Sequence, residues 1–226
     1  MKHNKQAYIG HEQQLFGVEE HRLIGGRGDG MRLLQIRNGS GLEMTISLDR
    51  CADLSRLSFG GDNFGYFAPC GYVAPTYYDG NGVGFLKSFT AGFLTTCGLR
   101  NVGSPCTDEG EELSLHGTIS HFPAEQVGYW IDEESIHVKA QMRDASLFGH
   151  GLLLDREYVI PLFGDGFSLH DTVTNIGVSA SPLEMLYHCN VGYPLLDENT
   201  ELLIPSSEVT PRNEQPLSRK RLHHHL

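Results

Sequence analysis

The chain has no cysteine pair at the C-x-x-C spacing of a zinc or redox site. Its five cysteines, Cys51, Cys70, Cys97, Cys106 and Cys189, are odd in number. A disulfide framework and a structural zinc centre are therefore not expected, and no metal is assigned. No apolar run reaches the ~18 residues that a membrane helix needs, and no apolar stretch follows Met1-Lys2-His3-Asn4-Lys5-Gln6 to make a signal peptide. The expectation is a cytoplasmic protein with no membrane partner. Positive charge is also short: 17 Lys+Arg against 28 Asp+Glu leave −11. That argues against a nucleic-acid groove or an anionic membrane surface as the main partner, while an acidic surface by itself names no partner. Finally, strong helical periodicity is scarce.

What is present is glycine, 27 residues of it scattered between short apolar runs. With 226 residues at 39% hydrophobic, the chain is long enough for one large all-β domain or two small ones and can fill a substantial core. Glycine between short runs predicts many strands joined by tight turns. Met31–Arg37 and Leu42–Leu48 read as a hairpin across Asn38-Gly39-Ser40-Gly41, with Leu42, Met44, Ile46 and Leu48 inward. Ile136, Val138, Ala140 and Met142 alternate with His137, Lys139, Gln141 and Arg143. Leu152–Ile160 and Phe167–Thr174 follow as further strands of an antiparallel meander that needs a partner sheet. His137 and His170 read as exposed, and His150 as a loop residue. Residues 60–84 form a long loop whose aromatics either pack it down or line a pocket. Cys97 and Cys189 read as small core residues, and Gly92 and Gly98 as points of close backbone approach. The Asp49-Arg50-Cys51-Ala52-Asp53 stretch reads first as a surface ion pair. The alternative places the planar fork of Arg50 in a cleft.

Chemistry gathers in two segments. Pro182–Asn190 reads as a strand with Leu183, Met185, Tyr187 and Cys189 on a core face. Glu184, Leu186, His188 and Asn190 lie on the other face, and Gly192-Tyr193-Pro194 ends the run. Upstream, Leu115-His116-Gly117 puts a second imidazole at a strand end, where glycine lets a ligand or another chain approach. Gly25–Gly30 lacks the ending of a phosphate-binding loop, and its Arg27-Gly28-Asp29 reads as chance. The three histidines His223–His225 read as a tail rather than a metal site.

Four stretches taken together, in order, resemble the galactose-mutarotase-like superfamily: Asp49–Asp53, Thr95–Gly103, Leu115–Ser120 and Tyr187–Leu196. More closely, they are similar to an aldose 1-epimerase-related bacterial family classed as a domain of unknown function. The likeness runs from about Gly10 to Asn213. It implies a large antiparallel β-sandwich, the galactose-mutarotase-like supersandwich, over residues 1–213, C-terminally truncated, with 214–226 as an atypical tail. It implies a small-molecule sugar as ligand and no cofactor. By position, His188 matches the general acid of ring opening and His116 the substrate-binding histidine. Arg50, Asp53 and Asn190 fall at family positions near the pocket. The glutamate base of such enzymes lies on a later strand than any in this chain, so activity is expected to be reduced or absent. Unpaired sheet edges would invite homo-oligomerisation or aggregation. The alternatives are a non-catalytic sugar-binding protein and a metal-dependent isomerase or lyase.

Overall fold

The computed structural model describes residues 5–208 and 210. The atypical tail expected over 214–226 lies outside them. Five strands come first: β1 (Phe16–Arg22), β2 (Arg32–Asn38), β3 (Leu42–Ser47), β4 (Asp53–Phe59) and β5 (Asp62–Asn63), paired antiparallel in chain order. The short strands β6 (Tyr66–Phe67) and β7 (Ala91–Gly92) pair with each other, and β8 (Leu94–Leu99) follows. The hairpin β9 (Cys106–Asp108) and β10 (Glu111–Leu113) turns at Glu109-Gly110, both at positive φ. The second large sheet is the meander β11 (Gln126–Ile131), β12 (Ser135–Ala145), β13 (Gly151–Pro161) and β14 (Ser168–Asn175). Last comes β15 (Glu184–Cys189), which pairs antiparallel with β8.

The expected alternation builds the core. Leu34, Ile36, Met44, Ile46 and Leu54 of the first sheet share one buried cluster with Ile136, Val138, Met142, Leu154, Tyr158 and Ile160 of the second. Each fully buried aliphatic side chain of this kind contributes about 1.5–3 kcal/mol. The sheets are also stitched by polar bonds. Buried Asn38 donates from Nδ2 to the carbonyls of Pro161 (3.0 Å) and Gly164 (2.8 Å), while its Oδ1 accepts from the Leu42 and Ser40 amides. Gly92 and Gly98 do sit where backbones meet: a Cβ on Gly92 would lie 2.8 Å from Ser55 Cα, and one on Gly98 would collide with the Glu184 carbonyl.

Several expectations need correction. The Asp49–Asp53 stretch is not a surface ion pair. Arg50 is 6% exposed, and Asp49 instead pairs with Arg32 at 2.6 Å. The chain reverses there with Cys51 and Ala52 at φ 56° and 49°, which turns Arg50 inward. Cys97 is buried as expected, but Cys189 is exposed. Strand β15 has β8 as its one ladder partner among the described residues, so Tyr187 stays 43% exposed and only Met185 of its expected core face packs on the core. His137 is half-buried rather than exposed, stacked flat on Trp130 with centroids 4.8 Å apart. No helix among the described residues is long and apolar enough to cross a membrane.

Candidate functional site

The two histidine segments meet. The rings of His116 and His188 lie edge to face with centroids 5.5 Å apart. Phe89 flanks His188 at 5.3 Å and Phe85 flanks His116 at 5.3 Å. His188 is delivered by β15, whose ladder with β8 sets His188 opposite Thr95. His116 is delivered by a strained turn. It holds φ 58°, a region histidine enters more readily than most residues, and Gly117 follows at φ 72°. Gly117 packs directly on the carbonyls of Gly98 and Asn101, where no Cβ could fit. The expectation of glycine for close approach holds, and what approaches is the backbone of Gly98 and Asn101.

Local hydrogen bonds set the state of the His116 ring. Its Nδ1 lies 2.8 Å from the Val102 carbonyl, which can only accept. Nδ1 therefore carries a proton, so that in the neutral form of the ring Nε2 is left as an acceptor. The amide of the same residue, Val102, donates to Glu184 Oε2 at 3.2 Å. Glu184 is thereby engaged by backbone, not poised on His188. The His188 ring touches Phe89 and His116, and neither of its nitrogens is hydrogen-bonded to another described residue. Asn190 donates from Nδ2 to the His188 carbonyl at 2.9 Å.

Arg50 and Asp53 occupy the frame behind the pair. The Arg50 guanidinium donates to the carbonyls of Ser120 (2.7 Å), Val73 (2.8 Å) and Ser88 (2.9 Å), and to His121 Nε2 (3.1 Å). Burial lowers its pKa to about 10, still leaving it charged at neutrality. Asp53 accepts the amide (2.9 Å) and hydroxyl (2.6 Å) of Thr96 and Nη1 of Arg156 (2.7 Å). Burial raises the Asp53 pKa, with Arg156 opposing.

Two residues at the centre of this frame carry no marked signal in the sequence. His121 is buried, stacked on Tyr78 with centroids 3.8 Å apart. Burial, then the charge of Arg50, push its pKa down to about 2, so it is neutral. Arg156 is fully buried and spends all five of its N–H donors. Nε and Nη2 grip Asp171 at 2.9 and 2.8 Å, Nη1 reaches Asp53 at 2.7 Å and the Cys51 carbonyl at 3.0 Å, and Nη2 also reaches Thr96 Oγ1 at 2.7 Å. Its clue was parity: Arg156 stands in the inward row Leu152, Leu154, Tyr158, Ile160, where an unpaired charge cannot stay.

Among the described residues no three His, Cys, Asp or Glu side chains gather to hold a metal.

The all-β frame of antiparallel sheets is similar to the aldose 1-epimerase fold. A solved structure with this fold is that of a "putative aldose 1-epimerase" from Klebsiella pneumoniae subsp. pneumoniae MGH 78578. It is 28% identical with a TM-score of 0.75, over 82% of this chain and 52% of that one. The chain belongs to the family described as a domain of unknown function, DUF4432, whose model matches residues 28–224. Galactose 1-epimerase from Lactobacillus acidophilus NCFM is a fainter likeness, 15% identical with a TM-score of 0.40 over 64% of this chain and 44% of that one, and carries no inference. The chain thus spans about half the length of the solved structures it matches. No curated protein matches it.

Proposed function

We propose that the chain binds a small free sugar, or a derivative with a free anomeric centre, at the His116–His188 pair and interconverts its anomers. The observation that carries this reading is the 5.5 Å edge-to-face placement of two imidazoles brought together from distant segments. Opening a pyranose needs a proton delivered to the ring oxygen while the anomeric hydroxyl loses one. Closure on the other face of the carbonyl reverses both transfers. An imidazole titrates near neutrality and can donate and recover a proton within one cycle. His188, which has no hydrogen bond from its ring to another described residue, is the acid. His116, held as its Nδ1–H tautomer by Val102, offers Nε2 to a sugar hydroxyl and can accept a positioning hydrogen bond or the anomeric proton itself. Asn190 fixes the backbone beside His188. Arg50 and Asp53 serve from behind, holding the frame against which both rings are set, since their polar atoms are already occupied.

A second reading, sugar binding without turnover, is favoured by one observation: neither ring is hydrogen-bonded to a carboxylate among the described residues. One experiment separates the two. Freshly dissolved pure anomers of a panel of aldoses are followed by polarimetry with and without protein. Mutarotation faster than buffer that disappears in His188→Ala supports the enzyme. Saturable binding with no acceleration selects the binding protein, and neither binding nor acceleration refutes both.

A further inference from the structure

The strand that carries His188 is a weakly supported one. β15 is hydrogen-bonded to β8 on one side, and Leu186, Tyr187 and Cys189 are exposed along it. Yet a general acid must be held to within a fraction of an ångström of its target. The residue next to His188 supplies a hold that the ladder does not. Tyr187 points to the opposite face of the strand from His188. Its hydroxyl donates to Asp171 Oδ2 at 2.8 Å. The Asp171 side chain is 3% exposed and is itself gripped through both oxygens by Arg156. Arg156 is fixed in turn by Asp53 on β4 and Thr96 on β8, and Thr96 is the ladder partner of Tyr187. The chain of bonds therefore runs from both large sheets, through one buried guanidinium, to the peptide next to His188. Burial, with Asp171 as the second cause, pushes the Tyr187 pKa up to about 12, so the phenol keeps its proton and the hydrogen bond persists across the working pH range.

We propose that Tyr187, anchored through Asp171 to the buried Arg156, is a positioning residue that fixes the roll of β15 and with it the direction in which His188 presents its ring. Tyr187 does not touch the sugar; it acts through its neighbour. The proposal rests on the reading of His188 as the acid, but it can be tested without that reading.

The variant is Tyr187→Phe, which removes one hydroxyl and keeps the ring, with Asp171→Asn as a second probe of the same link. Tyr193→Phe, an exposed tyrosine in the following turn, is the control. The first readout is the 1H–13C cross-peak of the His188 ring, identified by its loss in His188→Ala. It shifts by more than its linewidth in Tyr187→Phe and in Asp171→Asn, and stays in place in Tyr193→Phe. The second readout is kinetic. In Tyr187→Phe, kcat for anomer exchange falls about tenfold while KM stays within about twofold, because the loss lies in orientation rather than binding. In a His188→Ala background the same substitution changes nothing. A His188 cross-peak that does not move overturns the proposal, and so does a Tyr187→Phe effect of equal size with and without His188. Wild-type protein with no effect on any aldose defeats the proposed function instead, and the cross-peak then decides the positioning role by itself.

Discussion

Mild acid should loosen this fold through one buried ring. His121 is 5% exposed, stacks on Tyr78, and holds its Nε2 3.1 Å from an Arg50 nitrogen. Burial and the Arg50 charge keep its pKa down to about 2, whereas a histidine in an unfolded chain titrates near ~6.5. Between those values the unfolded chain takes up a proton that the folded chain refuses. The stability contributed by the neutral ring is therefore complete above about pH 6.5 and is lost as pH falls toward the folded-state value. One unit below the unfolded pKa, at about pH 5.5, the loss is RT ln 11, or ~1.4 kcal/mol, and at pH 5 it is ~2 kcal/mol. For a chain of this size ~1.4 kcal/mol corresponds to roughly 3–6 °C in Tm. Urea unfolding at pH 7.5 and 5.5 measures it, with wild type beside His121→Gln. Glutamine has its own cost, from the lost stack on Tyr78, but that cost is nearly the same at both pH values. Subtraction leaves the proton term, and wild type should lose ~1.4 kcal/mol more than the variant. Equal losses in the two proteins would refute the reasoning, because they would mean that His121 is protonated to the same extent folded and unfolded.

Two further outcomes follow from the same frame. Arg156→Met should cost about 3–5 kcal/mol in urea unfolding, because it strands the buried carboxylates of Asp53 and Asp171. Converting both to asparagine in that background should recover part of the loss, and a cost below ~1 kcal/mol would contradict the pairing. Gly92→Ala, at φ 70° with Ser55 Cα 2.8 Å from the added methyl, should destabilise by about 2–3 kcal/mol, against about 1 kcal/mol for Gly26→Ala, where the same sign of φ meets open space. Equal costs at the two glycines, measured by denaturant midpoint, would show that the contact with β4 yields freely.

How far the sequence reaches depends on whether a residue's role is set by local period or by distant partners. The Leu42–Met44–Ile46 and Ile136–Val138–Ala140–Met142 rows are read directly, because burying one face of a strand writes a period of two into the chain. β15 shows the limit of the same rule. Its alternation is real, but with β8 as its one ladder partner among the described residues the expected core face stays half open at Tyr187 and Cys189. The pairing of His116 with His188 is not a local property at all. It came from the ordered likeness of several stretches to a family, and no spacing rule would have yielded it. Arg50 reads as a surface residue because a strand end followed by charges usually faces water, while here two positive-φ residues turn it into the interior among carbonyls. Arg156 could have been found from its inward parity, but its partners Asp53 and Asp171 come from other strands. His121 lies in a 3-10 turn with no period to read.

The central claim is that the facing imidazoles of His116 and His188 open and close a sugar ring, and saturation-transfer NMR tests it most directly. The α-anomeric proton of a free aldose at equilibrium is saturated at neutral pH, and the β-anomeric signal is watched at catalytic concentrations of protein. The account predicts transfer above the buffer rate for wild type, and transfer at the buffer rate for His188→Ala. Transfer at the buffer rate with wild-type protein for every aldose tried, or equal acceleration by His188→Ala, would contradict it.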